Sequence, residues 1–200
     1  MISKSFTVLA ATLSVAVLAA LSAPAPSPTT VSFSVPSPTP VAVEAPPEEK
    51  RLSTEQAHLV EHLAQKYQKP ESFMETTVLA AYKEAEAHKI SPLLVLAIIE
   101  KESSFRHQVV NSYGAMGLMQ VVPRWHPDKL SPFEPKSQLL DPEVNIRVGT
   151  RVLAEYLTEK KGNLSQALAK YSGGASTYYE RVKQFERKLR DTVKSKLQDA

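Results

Sequence analysis

Cysteine is absent from the 200-residue chain. That excludes a disulfide scaffold, a cysteine-based metal site, a cysteine nucleophile and the lipidated start of a bacterial lipoprotein. It leaves the redox compartment open. A strong charge of one sign is also missing: 24 Lys and Arg stand against 21 Asp and Glu, a net charge of +3. Basic residues do not interleave with aromatics in the manner of an RNA-binding surface, so nucleic acid is set aside as a partner. The surplus gathers near the end of the chain. There Arg181, Lys183, Arg187, Lys188, Arg190, Lys194 and Lys196 outnumber Glu180, Glu186, Asp191 and Asp199. A solvated helix face accounts for this, with attraction to an acidic polymer as the alternative. No internal repeat and no alternating strand pattern is visible.

What is present divides the chain in three. Lys4 precedes an apolar run from Phe6 to Leu21. A short positive segment before an apolar core is the pattern of an export signal. At about 16 residues the run is short for a membrane span, which needs roughly 20. Residues 1–23 are therefore assigned to a signal peptide or a retained N-terminal anchor, with an exported protein implied. Eight prolines follow between Pro24 and Pro47. Each removes a backbone donor and fixes φ, so 24–50 reads as an extended linker with a reach on the order of 70–80 Å.

Residues 51–200 carry the helical patterning of a single domain that is mainly α. Ser53 with Gln56 forms a capping-box signature ahead of Ala57, Val60, Leu63, Ala64 and Tyr67. His58 and His62, which spell an H-x-x-E-H pattern with Glu61, are expected to face water. A second helix spans about Glu71 to His88. Ser91-Pro92 opens Leu93 to Ile99, apolar all round and hence buried. Asp141-Pro142 and Asn163 begin two more helices, and a last one follows Gly173-Gly174.

Glu102 stands at the end of the all-apolar helix, one turn beyond Ile98 and Ile99. Apolar walls disfavour a charged carboxylate, so its pKa should rise, as a general acid requires. Glu100 points about 200° away around the helix and cannot share its site. Downstream lies Ser112-Tyr113-Gly114-Ala115-Met116-Gly117-Leu118-Met119-Gln120. The small residues allow backbone to approach a ligand, Met119 offers an adaptable apolar surface, and Gln120 offers donor and acceptor groups suited to a sugar.

Glu102-Ser103-Ser104-Phe105 followed by Gly114-Ala115-Met116-Gly117-Leu118-Met119-Gln120 resembles the soluble lytic transglycosylases, relatives of goose-type lysozymes. Asp141-Pro142, Asn145-Ile146, Gly149 and Ala167 to Tyr171 extend the resemblance over about 90–182. One position departs: the family's usual Tyr-Asn is Tyr171-Ser172. The resemblance implies a compact lysozyme-like helical domain in the periplasm or cell envelope, with peptidoglycan glycan strands as substrate and no metal or organic cofactor. Glu102 would be the single catalytic acid, with Ser103, Ser112, Gly117, Met119, Gln120 and Tyr171 as substrate contacts. Tyr171 would also hydrogen-bond and aim Glu102. Such an enzyme cleaves between N-acetylmuramic acid and N-acetylglucosamine and leaves a 1,6-anhydromuramyl end. A lysozyme-like hydrolase, or a non-catalytic wall-binding module, are the alternatives. Asp128 and Glu134, in a Pro-rich loop, and Asp141, a helix cap, are not read as a second catalytic carboxyl group.

Overall fold

Four helix starts follow directly from their caps. The computed structural model describes residues 52–133 and 135–198. In it the Ser53 side chain accepts from the Gln56 backbone N–H, and the Gln56 side chain accepts from that of Ser53. This reciprocal pair opens α1, Thr54–Tyr67. After α2, Glu71–His88, the Ser91 hydroxyl caps α3, Pro92–Ser103, with Pro92 in the first turn. A one-turn α4, Pro127–Leu130, precedes α5, Pro142–Glu159, capped by Asp141. Asn163 caps α6, Leu164–Tyr171, and α7 is Tyr178–Gln198. The sequence assignments to an export segment and a linker lie outside the described residues, as does Glu134.

The described residues are mainly α, as the patterning predicts, with isolated antiparallel bridges at Val110, Met116 and Val121. Helix α3 is the central element. It packs on α2 and α7, while α1 packs on α2 and α7, and α2 on α5. Leu93 to Ile99 are all buried. Full burial of such aliphatic side chains is worth roughly 1.5–3 kcal/mol each. Polar ties join the same elements at the surface. Tyr82 donates to Glu55 at 2.6 Å, and Arg147 pairs with Glu84 at 3.2 Å. Among the described residues no helix is long and apolar enough to cross a membrane.

Helix α1 departs from the sequence expectation. Its buried face is Leu59, Val60, Leu63 and Ala64. Ala57 is exposed, and His58 and His62 are half-buried rather than facing water. Because α1 packs against both α2 and α7, its covered arc is wider than one apolar stripe and is rotated toward the histidines.

Candidate active site

Glu102 sits in the last turn of α3, and the chain turns sharply just beyond it. Ser104 and Phe105 both adopt positive φ, 50° and 58°. Left-handed non-glycine residues cost of order 1 kcal/mol or more each, and persist where packing over-determines them. Here Phe105 is fully buried, with its ring centroid 4.7 Å from that of Tyr67. Arg106 Nε donates to the Ser103 carbonyl at 2.9 Å. The turn is thus pinned on both sides of the acid.

The Glu102 carboxyl is half-buried and accepts a hydrogen bond from the Tyr178 hydroxyl at 2.5 Å. Burial pushes its pKa above the usual carboxylate value, and the Tyr178 hydroxyl and the Lys101 ammonium partly oppose that rise. Among the described residues no second carboxyl group is one of these influences. Glu100 points elsewhere: it is buried and pairs with Lys66 of α1 at 2.7 Å. Asp128 pairs with Lys129 at 2.9 Å, and Asp141 accepts from the Val144 N–H.

The tyrosine that holds Glu102 is therefore Tyr178, not Tyr171. Tyr171 donates instead to the Met119 carbonyl at 2.9 Å. Its phenol is nonetheless close enough to feel the acid: burial, then the Glu102 charge, pushes its pKa well up. Tyr178 lies 76 residues from Glu102. Its one sequence signal is its place at the head of the buried stripe Tyr178, Val182, Leu189 and Val193 of α7.

The loop from Asn111 to Gln120 is held by backbone bonds between Met116 and Val121 in both directions, 2.9 and 3.0 Å, and from Gly117 N to the Val109 carbonyl, 2.9 Å. Behind it stands fully buried Asn145 of α5. Its Oδ1 accepts from Met119 N at 2.7 Å, and its Nδ2 donates to the carbonyls of Leu139, 2.7 Å, and Met116, 2.9 Å. Gly117, at φ +74°, leaves room for this contact: a Cβ there would lie 2.2 Å from Asn145 Nδ2. A Cβ on Gly149 would lie 2.6 Å from Met119 Sδ.

Three residues read from sequence as substrate contacts are buried by this packing. Met119 is fully buried under Gly149 and Thr150. Gly117 is buried and admits the close approach of Asn145. Ser103 is buried, with its hydroxyl donating to the Ile99 carbonyl. Ser112 is exposed and lies outside the cleft lining. Gln120 and Tyr171 do line a cleft, of about 520 Å³. The Gln120 Nε2 amide is already committed to the carbonyls of Gly117 and Val109, leaving Oε1 for a ligand. Asn111, Trp125, His126 and Tyr156 line the same cleft without having been singled out. Ser172 lines it too; its hydroxyl donates to the Ala169 carbonyl and accepts from Ala175 N, closing the turn after α6.

The family model described as Transglycosylase SLT domain matches residues 79–193, more than half of the chain. A membrane-bound lytic murein transglycosylase C of Yersinia pestis (strain Pestoides F) is 30% identical over 132 residues, covering 53% of this chain and 37% of that protein. Its namesake in Serratia proteamaculans (strain 568) is 32% identical over 108 residues, 48% and 30% of the two chains. The chain thus spans about a third of the length of the curated relatives it matches. Among solved structures, the 70 kDa soluble lytic transglycosylase of Escherichia coli aligns over 72% of this chain and 26% of its own, with 23% identity and a TM-score of 0.46. An inactive mutant of the lytic transglycosylase Slt of Pseudomonas aeruginosa aligns over 57% and 22%, at the same identity and TM-score.

Proposed function

Because the chain belongs to the Transglycosylase SLT domain family, we propose that it is an exported lytic transglycosylase of the cell envelope, acting on peptidoglycan with Glu102 as its single general acid and base. One observation carries the reading: a half-buried carboxyl group is held by the Tyr178 phenol, and burial raises its pKa with no carboxyl partner from the described residues among the causes. An ordinary glycosidase pairs two carboxyl groups across the scissile bond. Here the protonated Glu102 gives its proton to the glycosidic oxygen as the muramyl C1–O bond breaks. The carboxylate then takes the proton from the C6 hydroxyl of the same sugar as that oxygen bonds to C1. The acid is regenerated, no water is consumed, and the tethered hydroxyl benefits from a high effective molarity. The relatives' names, lytic murein transglycosylase, support the same substrate.

Mass spectrometry of digested cell-wall sacculi tests this. Anhydromuramyl ends, lighter by one water than reducing ends, are the expected product. Reducing ends alone would make the protein a hydrolase on this fold, and no cleavage would leave a wall-binding module.

Tyr178 then has a defined part. Its hydroxyl donates to the carboxylate form of Glu102 and so favours that form. Tyr178→Phe should lower turnover by about 10- to 100-fold, because the carboxyl loses its aim, with less effect on KM. It should also move the alkaline limb of the kcat/KM profile to higher pH, since the acid now keeps its proton longer. A profile overlapping that of the parent, at equal turnover, would show that Tyr178 only packs.

A further inference from the structure

Tyr113 and Trp125 are large aromatic side chains left open to solvent, 72% and 65% exposed. Both line the cleft beside Tyr171, and the exposed Arg124 side chain lies between them. Its guanidinium carbon is 5.4 Å from the Trp125 ring centroid and 5.6 Å from that of Tyr113. Two ring faces hold a guanidinium while its N–H fork stays free, and that fork matches a carboxylate. Among the described residues Arg124 makes no ion pair. Lys170, the other cation at this cleft, is tied to Glu159. Among the described residues no Asp or Glu lines the cleft.

We infer that Tyr113, Arg124 and Trp125 form a clamp for the anionic peptide stem of the muramoyl residue, with Arg124 taking a stem carboxylate and the rings covering its aliphatic parts. This rests on the reading of the cleft as a wall-glycan site. A glycan backbone of N-acetylated amino sugars is uncharged apart from the muramoyl arm, so an unpaired cation on the cleft rim contributes only where that arm brings a negative charge. The arm offers two sources of carboxylate, the stem peptide and, once the peptide is removed, the lactyl group. The pair of exposed rings favours the stem, because a lactyl group is too small to cover them. The clamp therefore acts on substrate choice: it selects peptide-bearing strands over stripped ones without entering the chemical step.

The test uses the full chain carrying Glu102→Gln, so that strands survive, and compares it with the same chain carrying Arg124→Gln in addition. Affinity is measured for peptide-bearing glycan fragments, for fragments stripped of peptide by an amidase, and for chitin oligomers, at low and high salt. Arg124→Gln should weaken binding of peptide-bearing fragments about tenfold, remove most of its salt dependence, and change binding of the other two ligands by about twofold or less. Trp125→Ala should weaken the same ligand selectively. Arg124→Lys should fall between, because an ammonium keeps the charge and loses the fork. Equal losses on all three ligands, or no loss on any, overturn the clamp. An equal loss on peptide-bearing and stripped strands, with chitin unaffected, overturns the stem assignment in favour of the lactyl group. Thermal melting checks that the variants fold. If the parent chain releases no product from sacculi, the catalytic reading falls, while a stem-selective affinity dependent on Arg124 still supports the clamp.

Discussion

Glu102→Gln leaves less than about a thousandth of the parental rate of product release from sacculi, while the variant folds and still binds glycan. General acid catalysis alone is worth roughly 100- to 10,000-fold, and in the proposed mechanism this carboxyl group serves in both proton transfers. The amide keeps the shape and can still accept from Tyr178 at Oε1, so packing changes little. The substitution also acts on stability, in the opposite direction. Burial raises the pKa of Glu102 in the folded state above its ordinary value near 4.5. The folded chain therefore holds that proton more tightly than the unfolded one. The resulting stabilisation is fully present below about pH 4.5 and is lost as pH rises through the folded-state pKa. Above it, a desolvated carboxylate weakens the native state, and glutamine removes that weakness. Melting curves should show Glu102→Gln more stable than the parent at pH 7, with the difference closing toward pH 4. Retained turnover would remove Glu102 from the chemistry. A stability difference that grows on acidification would show that burial does not govern its protonation.

Asn145→Ala is the substitution expected to cost most stability. The side chain is fully buried and makes three hydrogen bonds, one to a backbone N–H and two to carbonyls of different segments. Alanine leaves Met119 N without that acceptor and the Leu139 carbonyl without that donor, while the Met116 carbonyl keeps its bond from Val121 N. Each buried polar group left unpaired costs about 1–3 kcal/mol. With partial relaxation, a loss of about 3–4 kcal/mol follows, a fall in Tm of roughly 6–16 °C for a domain of this size. Activity should fall with it even below the melting range, because Asn145 ties the Gln120 side of the cleft to α5. Asn145→Asp separates the parts: it keeps the acceptor for Met119 N but turns a carboxylate toward two carbonyls. That variant should be worse than alanine at neutral pH and recover on acidification. A shift of Tm under about 2 °C for Asn145→Ala would mean that the loop holds itself.

Local chemistry in the chain made the helices legible. Ser53 with Gln56, Ser91 with Pro92, Asp141 with Pro142, and Asn163 each mark a start by a side chain reaching the next turn. The apolar setting of Glu102 was legible for a similar reason, since Ile98 and Ile99 sit one turn away on the same helix. The other wall of the site was not. Met119 and Gly117 belong to a motif that suggests ligand contact, yet Asn145 and Gly149, 26 to 32 residues further along the chain, cover them. Tyr171 and Tyr178 are seven residues apart, and only the path of the turn through Ser172 and the two glycines decides which of them meets the acid. His58 and His62 show the same limit in α1, where a second packing partner turned the buried face. In each case the missing information is which distant segment packs on a locally well-defined element.

Helix α3 is enclosed along its length by neighbours, so its amide hydrogens should exchange with solvent only when the whole domain opens. Glu102 thus stands at the end of the element expected to exchange most slowly, while Tyr113, Arg124 and Trp125 are exposed. On the proposed mechanism, adjustment to a strand would then come from the rim, with Glu102 as the fixed reference point toward which a bound sugar is brought.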